Sequence, residues 1–350
     1  MARIVLADDG IEFDDQTARE RPLGGVESSV VFLVEELARR GHDVLVCNRC
    51  PRPGRRNGVE WGRIDGAGGP YSGVPSGADL YIANRGDRLI PLVPDARRVA
   101  FWTHNPAGYV LKPRYLWKLW RRRPAIVFIG DYHATTCPAW VPDGGRETIP
   151  YGIPDLFRAA VPLASPPAPR AVFTSNPLRS LDWLLDLWAG AIRPRVPGAE
   201  LHVFAGAATY GAVGAAKEGP MGAILSRAAA MKDSGVIVRG PVPKDRLVAE
   251  FREARAMLYR GDLNETFCLA VGEAQASGVP AVVGGLGSVV ERVRDGETGF
   301  IARDEGAFVE AAVKILSDDA LWRRQHEAAL ARQRAWGWPE AAAAFESLML

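Results

Sequence analysis

The sequence predicts an α/β protein built from two parallel-sheet domains that face a central cleft. Three observations favour this fold. Strand and helix patterns alternate over the first part of the chain, a proline-rich stretch interrupts them between Pro150 and Pro169, and the alternation then starts again. The length of 350 residues accommodates two ordinary domains. We assign the first domain to residues 1–154, a linker to 155–169, the second domain to 170–332, and a terminal helix that packs back on the first domain to 333–350.

The first domain opens with an apolar strand at Arg3–Ala7, and an amphipathic helix follows at Ser28–Arg40. This helix ends at Gly41, a residue that suits a helix C-cap. Short apolar runs then predict further strands at Asp43–Cys47, Leu80–Ala83, Val99–Thr103 and Ile126–Ile129 and near Thr148.

In the second domain the same alternation recurs. Strands are predicted at Ala171–Thr174, Glu200–Phe204, Val236–Arg239, Ala256–Tyr259 and Val279–Val283, and helices at Leu181–Ala191 and Lys244–Arg255, with a Gly/Ala-rich loop and helix after Gly206. Ligands of open α/β sheets bind outside the carboxyl ends of the strands, so the side chains that follow each strand are the candidates for a site.

Composition excludes several classes of protein. A net charge of +2 gives no argument for nucleic acid as a partner. No run approaches the ~18 apolar residues of a membrane span. The opening MARIVLADDG reads as a strand rather than a signal peptide, which predicts a cytoplasmic location.

Neither a redox centre nor a metal centre is predicted. Cys47 and Cys50 form a CxxC, but prolines follow and no second ligand pair completes a tetrahedral site, so we interpret them as ordinary thiols. The adjacent pairs Asp8-Asp9 and Asp14-Asp15 are expected to be solvated or to cap helices. No DxD pattern suited to magnesium is present, and we expect neither a metal nor another cofactor.

The segment NETFCLAVGEAQASGVPAVV carries the clearest chemical pattern. Glu265 and Glu273 are eight residues apart, with an apolar run between them that suits a core. We expect Glu265 on the loop side of a helix start and Glu273 about two turns further on. Backbone N–H groups at that helix start can hold an anion, and the carboxylates can accept hydroxyls beside it. A diphosphate with hydroxyls nearby describes a nucleotide sugar.

Four motifs together resemble a retaining glycosyltransferase of family 4, which has the GT-B fold of two Rossmann-like domains. They are Gly24-Gly25-Val26 before the helix that ends LARRGHDVLV, His104 in FWTHN, the hinge-like IPYGIPDLF, and the E-x7-E signature from Glu265 to Glu273 with GETGFI after it. The resemblance covers nearly the whole chain, with the acceptor side in the first domain and the donor side in the second.

The resemblance implies the role of each candidate residue. Glu265 contacts the donor sugar's hydroxyls, Glu273 those of the ribose, and Arg179 the departing diphosphate, while His104 hydrogen-bonds the transferred sugar or lines the reaction centre. The catalytic set is therefore Glu265, His104 and Arg179, and the donor-binding set is Gly24, Gly25, Gly206, Gly240, Thr266, Phe267, Cys268 and Glu273. In this family the acceptor attacks on the face from which the diphosphate leaves, and that phosphate helps to deprotonate the acceptor, so the resemblance implies a retaining reaction. The absence of a DxD pattern implies that no metal is required.

The chain also departs from the family pattern. TSNPLRSLDWL offers only Arg179 where the family has a basic pair, so a second cation must come from elsewhere, with Arg260 as one candidate. Cys268 replaces a commoner glycine, and Tyr151 replaces the hinge asparagine. Two alternatives therefore remain: a GT-B nucleotide-sugar 2-epimerase, and a non-catalytic protein that binds sugar nucleotides or glycans.

A basic aromatic stretch, KPRYLWKLWRRRP, lies within a region free of acidic residues. On a helix, Arg114, Lys118, Arg121 and Arg122 share one face, Trp120 lies opposite and Trp117 at a flank. Such a helix suits an anionic membrane surface and a lipid or glycan acceptor, which predicts a peripheral enzyme on the inner face of the membrane. The alternative is a helix that packs its tryptophans inward. The proposed surface comprises Lys112, Arg114, Trp117, Lys118, Trp120, Arg121, Arg122 and Arg123.

Overall fold

The structure, a computed structural model, describes residues 1–20, 23–206 and 218–350. The chain divides into two compact units. The first comprises Met1–Glu20, Gly25–Gly152 and Gly337–Leu350, and the second is formed chiefly by Ile153–Trp336. The expected boundaries at 154 and 333 lie within a few residues of these, whereas the second unit begins at Ile153 and not at the expected residue 170. The predicted Gly/Ala-rich loop after Gly206 falls largely on 207–217, outside the described residues.

In the first unit, the described strands form one parallel sheet in the order β3-β2-β1-β4-β5-β6-β7. Every residue of β1 after Arg3 is buried, as expected for a parallel strand covered on both faces. The strands are β1 (Arg3–Asp8), β2 (Asp43–Arg56), β3 (Val59–Arg63), β4 (Leu80–Asn84), β5 (Arg98–Trp102), β6 (Ala125–Phe128) and β7 (Arg146–Thr148).

The helices of this unit are α1 (Thr17–Glu20), α2 (Gly25–Arg39), α3 (Pro113–Arg122), α4 (Asp131–Thr135) and α12 (Trp338–Ser347, the last helix of the chain). α2 begins at Gly25, three residues earlier than predicted. α12 packs in the first unit: the rings of Trp338 and Phe32 stack at 6.1 Å, and Arg40 pairs with Glu346 at 2.6 Å.

In the second unit, the described strands also form a parallel sheet, in the order β10-β9-β8-β11-β12-β13. The strands are β8 (Arg170–Phe173), β9 (Glu200–Val203), β10 (Val236–Val238), β11 (Ala256–Gly261), β12 (Ala281–Leu286) and β13 (Gly299–Ala302). The helices are α5 (Asp155–Arg158), α6 (Leu181–Leu187), α7 (Glu218–Ala230), α8 (Lys244–Arg252), α9 (Leu269–Ala276), α10 (Glu305–Ser317) and α11 (Asp319–Gln333).

The predicted linker at 155–169 is not a free connection, because it packs with the second unit. α5 lies inside it, and the fully buried ring of Phe157 approaches that of Phe251 to 5.9 Å. Proline spacing indicated an irregular segment, but it did not reveal that one aromatic side chain anchors the segment to a core.

All four cysteines are buried and free, including the CxxC pair. Burial raises the pKa of Cys47 to about 12 and also raises that of Cys50. Thiols with raised pKa values are poor nucleophiles at neutral pH. The structure therefore agrees with the interpretation of Cys47 and Cys50 as ordinary thiols.

Candidate functional site

Each sheet has a topological switch point, where the strand order reverses. In the first sheet it lies between β1 and β4, and in the second between β8 and β11. Open α/β sheets bind ligands outside the carboxyl ends of the strands at such points. The polar residues that follow these four strands are therefore the first place to look for chemistry.

At the second switch point, Arg179 and Glu265 form an ion pair. Arg179 follows β8 and Glu265 follows β11, and their side chains meet at 2.6 Å. The hydroxyl of Tyr259 donates to the same carboxylate at 2.5 Å. Burial opposes the charge of Arg179, but the adjacent Glu265 outweighs it and the pKa of Arg179 is raised. The structure thus brings together two of the three residues assigned to catalysis.

The loop that carries Glu265 is held by close backbone packing. The N–H of Ser288 donates to the carbonyl of Glu265 at 3.0 Å. Gly287 has φ +67°, and a Cβ there would lie 2.1 Å from the carbonyl oxygen of Asp262. Only glycine meets both the backbone conformation and the space at this position. The start of the turn after β12 therefore fixes the position of Glu265.

The helix expected near Glu265 begins only at Leu269. Cys268 precedes it with φ +60°, a left-handed conformation that costs a non-glycine residue free energy and cannot continue a helix. Thr266, Phe267 and Cys268 are all buried. The Arg292 guanidinium lies 4.3 Å from the centre of the Phe267 ring. The anion cradle assigned to these backbone groups stays a prediction.

Glu273 lies on α9, one turn into the helix rather than two. Its buried carboxylate forms an ion pair with Lys244, the first residue of α8. A cation at a helix N-terminus opposes the helix dipole, so the local sequence of α8 gives no reason for a lysine there. The ion pair with Glu273 supplies that reason. Sequence reasoning missed Lys244, because its partner is 29 residues away.

The glycines that end two strands of the second sheet lie close together. A Cβ on Gly206 would meet the Pro241 ring at 2.8 Å, and Gly240 has φ +72°. Both positions therefore favour glycine for local reasons. Their predicted contact with a donor remains a prediction.

Arg260, the candidate for the second phosphate cation, is engaged elsewhere. Its guanidinium lies 4.9 Å from the centre of the Trp183 ring. Alternate residues of a strand point to opposite faces, so Arg260 points away from its neighbour Tyr259, which contacts Glu265. Lys244 is better placed than Arg260, since it already contacts one of the two glutamates.

His104 lies in a buried polar network at the carboxyl edge of the first sheet. Its Nδ1 is 2.5 Å from the Tyr151 hydroxyl, and its Nε2 is 2.5 Å from Oδ1 of Asn84. Because Oδ1 can only accept, Nε2 donates and Nδ1 accepts from Tyr151. The Asn84 amide donates to Asp8 at 2.5 Å. Burial and the nearby Arg85 hold the pKa of His104 well below its ordinary range.

This network gives His104 two protein partners and a neutral ring. Its contact with a transferred sugar stays a prediction, and its observed partners are those of a positioning residue. Tyr151, which replaces the hinge asparagine of the family, is one of those partners. The tyrosine that replaces the hinge asparagine therefore supplies a hydrogen bond to His104.

Arg85 is the residue of the first switch point that sequence reasoning missed. It follows β4 with φ +57°, and its guanidinium lies 3.2 Å from Asp8 and 2.8 Å from Glu27. Asp8 is fully buried rather than solvated, which corrects the interpretation of the Asp8-Asp9 pair. A non-glycine residue with positive φ after a strand is costly, and such positions cluster at functional sites.

The pair Asp14-Asp15 is also buried, contrary to the expectation of solvated residues. Arg52 pairs with Asp14 at 2.7 Å and Arg56 with Asp15 at 2.7 Å. Asp14 additionally accepts from the backbone N–H of Thr17, so the capping part of the expectation holds for it. Burial of both carboxylates follows from arginine partners about forty residues away, which local sequence does not reveal.

Gly24 and Gly25 were expected to form one loop, yet Gly25 is the first residue of α2. The Ser29 hydroxyl on the next turn donates to the Gly25 carbonyl at 2.7 Å. Their approach to donor phosphates stays a prediction.

Buried neutral histidines predict a loss of stability at mildly acidic pH. Burial lowers the pKa of His104, His202 and His326, and lowers that of His133 to about 4. The unfolded chain binds protons at these sites below about pH 6.5, whereas the folded chain does not, so the free energy of unfolding falls as pH drops below 6.5. Each such proton contributes about 1.4 kcal/mol per pH unit.

Urea unfolding between pH 7.5 and 5 measures this slope. His133→Gln should reduce the pH dependence while lowering stability at pH 7.5, because Nδ1 and Nε2 of His133 both contact backbone atoms. A free energy of unfolding independent of pH over this range would contradict the buried neutral histidines.

The basic aromatic helix α3 presents a different face from the one predicted. Tyr115 and Leu119 are its buried pair, so the tryptophans one turn apart point to solvent. Trp117 and Trp120 are 60% and 57% exposed, and their rings stack at 5.2 Å. The alternative in which both tryptophans pack inward is therefore wrong.

The basic residues of α3 are split between the two faces. Lys118 pairs with Asp87 at 2.5 Å, and Arg122 donates to the carbonyls of Val93 and Pro94. Arg114 lies 3.4 Å from Asp87 but stays exposed. The outward surface of α3 thus combines Trp117 and Trp120 with Arg114 and Arg121, rather than separating basic from aromatic residues.

The described residues contain neither a candidate membrane span nor a candidate metal-binding cluster. None of the helices seen in residues 1–20, 23–206 and 218–350 is long and apolar enough to cross a membrane. Within the same ranges, no group of three or more His, Cys, Asp or Glu side chains is placed to hold a metal ion. Metal independence stays a prediction.

Part of the second unit is similar to known proteins. Residues 169–318 match the family of group 1 glycosyl transferases. The D-inositol 3-phosphate glycosyltransferase of Streptomyces avermitilis is 35% identical over 108 residues, 30% of this chain and 23% of the relative. That of Streptomyces bingchenggensis is 30% identical over 180 residues, 47% of this chain and 39% of the relative. The chain thus matches well under half the length of these curated relatives.

Solved structures match over nearly the whole chain. Sucrose-phosphate synthase from Thermosynechococcus elongatus has a TM-score of 0.71 at 16% identity, covering 99% of this chain and 97% of that one. HepE of Anabaena, in complex with UDP and glucose, has a TM-score of 0.68 at 13% identity, covering 99% of both chains. At such identities the likeness establishes the fold.

The chain therefore has the GT-B fold of two parallel-sheet α/β domains. Residues 169–318, which contain Arg179 and both glutamates of the E-x7-E signature, match the family of group 1 glycosyl transferases. The expected fold is confirmed, and the family match over these residues agrees with the resemblance carried by the four sequence motifs.

Proposed function

We propose that this protein is a retaining, metal-independent glycosyltransferase that moves a sugar from a nucleotide-diphosphate sugar to a glycan or lipid-linked acceptor in the synthesis of a cell-surface polysaccharide or glycolipid. The observation that carries the proposal is the Arg179–Glu265 ion pair at the switch point of the second sheet, inside the segment that matches group 1 glycosyltransferases.

Arg179 is suited to the charge that develops on a leaving diphosphate. Its guanidinium is one-third exposed and stays cationic, so it can pair with phosphate oxygens as the glycosidic bond breaks. Glu265 then accepts hydrogen bonds from the donor sugar's hydroxyls. In the structure it forms the ion pair with Arg179 and accepts from Tyr259, which together fix its orientation.

Lys244 is the residue that we assign as the second cation, in place of the family's basic partner of Arg179. Lys244→Met is expected to weaken donor binding about tenfold or more, since a charge-assisted hydrogen bond contributes roughly 1.5–3 kcal/mol. Titration of the folded variant with UDP measures the effect. Lys314→Met is the matched control, because Lys314 is an exposed lysine of the same unit. Equal affinity of Lys244→Met and the unsubstituted protein would remove Lys244 from the donor site.

UDP-sugars are the first donors to test, because HepE, which shares this fold, was solved with UDP and glucose. Incubation with UDP-, GDP- and ADP-sugars should release the corresponding nucleoside diphosphate, with and without EDTA. The anomeric configuration of the product, read from NMR couplings, tests retention. Loss of release in EDTA would contradict metal independence, and an inverted product would contradict the retaining mechanism.

The same assay separates the two alternatives. A 2-epimerase would interconvert two nucleotide sugars, and a binding protein would bind a nucleotide without releasing diphosphate. Neither alternative predicts that diphosphate release depends on an added acceptor. Acceptor-dependent release is therefore the outcome that favours the transferase.

A membrane surface is proposed as a further partner of α3. The exposed Trp117–Trp120 pair beside Arg114 and Arg121 suits the interface of an anionic bilayer, which stabilises both tryptophan and basic side chains. We therefore propose a peripheral enzyme at the cytoplasmic face of a membrane. Cosedimentation with anionic vesicles tests this surface.

Trp117→Ala with Trp120→Ala should abolish vesicle binding, and added salt should weaken it. Trp140→Ala is the matched control, because Trp140 is 64% exposed in the same unit but lies outside α3. Equal binding of the α3 variant and the control would rule out α3 as the contact.

A further inference from the structure

The first unit contains a cavity of about 490 Å³ to which neither the family match nor the predicted sites assign a ligand. Its walls include Asp9, Arg85, Asp87, Asn105, Tyr109 and Tyr115. Asp9 follows β1, Arg85 and Asp87 follow β4, and Asn105 follows β5. The cavity therefore lies at the carboxyl edge of the first sheet, beside its switch point, and its size is within the range of small-molecule sites.

Three cations near this cavity are held by carboxylates, whereas Arg88, which is hydrogen-bonded to Tyr71 near Asp9 and Asp87, does not line it. The guanidinium of Arg85 contacts both Asp8 and Glu27, two residues that do not line the cavity. Lys118 and Arg114 both approach Asp87. Among the described residues that line the cavity, the single cation, Arg85, bridges two carboxylates, while Asp9 and Asp87 add two more negative charges, so the excess of negative charge disfavours an entering phosphate.

Asp9 adds a carboxylate that forms no ion pair with a described residue. Its side chain packs against Gly86, where a Cβ would lie 2.5 Å from the carboxylate oxygen, and accepts from the Tyr71 hydroxyl at 3.2 Å. Burial, with Asp8 nearby, raises the pKa of Asp9. A second anion in the cavity would further disfavour the charged form of Asp9, whereas hydroxyl or ammonium donors would stabilise that charge.

Two tyrosines give the cavity an apolar wall with one unsatisfied polar atom. The rings of Tyr109 and Tyr115 pack edge to face at 5.1 Å, and the Tyr115 hydroxyl donates to the carbonyl of Arg85. The buried hydroxyl of Tyr109 finds no hydrogen-bond partner among the described residues. An unpaired buried hydroxyl costs roughly 1–3 kcal/mol, a cost that a ligand hydroxyl would offset.

We propose that this cavity binds a hydroxyl-rich ring that bears no phosphate, either neutral or amino-substituted, stacked on the tyrosines with its donors directed at Asp9. We identify this ligand as the acceptor, and that identification rests on the proposed transferase function. The chemistry of recognition does not rest on it, because it follows from the excess of negative charge in the lining, from a carboxylate without an ion-pair partner and from a tyrosine hydroxyl without a hydrogen-bond partner among the described residues.

Ligand-observed NMR titration of the full chain, without any donor, tests the proposal with glucosamine, glucose and glucose 6-phosphate as probes. Glucosamine should bind about tenfold or more tightly than glucose 6-phosphate, with glucose between them, because the carboxylates of the cavity attract the ammonium group and repel the phosphate. Nucleoside-diphosphate release is measured separately, so either hypothesis can fail alone.

Two variants make the test specific. Asp9→Asn should reduce the preference for glucosamine over glucose 6-phosphate to less than about threefold. The substitution removes the carboxylate charge that attracts the ammonium group and repels the phosphate. Tyr109→Phe should weaken glucosamine and glucose alike while leaving the unfolding midpoint unchanged or higher, since it deletes a hydroxyl that no described residue contacts. If the Tyr109 hydroxyl had only a structural role, Tyr109→Phe would instead lower the unfolding midpoint.

Asp95→Asn is the matched control, because Asp95 is an exposed aspartate of the same unit outside the cavity. It should bind all three probes as the unsubstituted protein does. Tighter binding of glucose 6-phosphate than of glucosamine, absence of binding by all three probes, or an unchanged preference in Asp9→Asn would each overturn the proposal.

Discussion

Glutamine in place of Glu265 is expected to lower the rate of acceptor-dependent diphosphate release about a hundredfold or more, a loss of at least about 2.7 kcal/mol of transition-state stabilisation. Glutamine keeps the shape and can still accept from Tyr259, but it removes the charge that pairs with Arg179 at 2.6 Å. The substitution therefore removes the ion pair that holds Arg179 and, in the proposed mechanism, the carboxylate that would bind the donor sugar. Steady-state kinetics with a UDP-sugar measures the effect.

Arg179→Gln should reduce the rate to a similar extent, and the double variant should be little worse than either single one. Residues that act as a unit are non-additive in this way. Arg195 and Glu310 form the matched control, because they make an ion pair of similar length in which both side chains are about half exposed. Losses that simply add across Arg179 and Glu265 would contradict a coupled pair, and full activity of Glu265→Gln would defeat the site assignment.

The second unit was more predictable from sequence than the first, for a physical reason. Glu265, Cys268 and Glu273 belong to one continuous strand–loop–helix segment, so their spacing encodes their geometry. Strands of both sheets were predictable for a similar reason, since buried parallel strands are continuous apolar runs. The predicted starts and ends of most strands differ from the structure by one or two residues.

Contacts between distant segments were not predictable. Lys244 and Glu273 are separated by 29 residues, and Asp8 and Asn84 by 76. Each residue alone is an ordinary polar side chain after a strand or at a helix start. Only the order of strands in the sheet brings them together, and neither periodicity nor a short motif specifies that order.

Helix faces and helix starts failed for more local reasons. In α3 the tyrosine, not the tryptophans, fills the core, because the buried pair Tyr115 and Leu119 decides which face turns inward. In α9 a left-handed Cys268 delays the helix start to Leu269. Two buried side chains decided the first outcome and one residue the second, and an average over the segment reveals neither.

Alanine in place of Gly287 is expected to abolish the proposed activity without changing any residue assigned to substrate contact. The left-handed backbone at φ +67° costs a non-glycine residue roughly 1–2 kcal/mol. The new Cβ would also lie 2.1 Å from the carbonyl oxygen of Asp262 and 3.0 Å from that of Glu265. Because both contacts are with backbone, the loop that carries Glu265 must move rather than a flexible side chain.

A displacement of about 1 Å at a reacting group can cost a hundredfold in rate, so we expect a loss of this order together with a lower unfolding midpoint. Gly285→Ala is the matched control: it makes the same chemical change two residues away, where a Cβ meets nothing within 4 Å and φ is not in the left-handed range. Its activity and stability should match those of the unsubstituted protein. If Gly287→Ala were as active as Gly285→Ala, the position of Glu265 would not depend on the packing of this turn, and the ion pair with Arg179 would have to be maintained by Tyr259 alone.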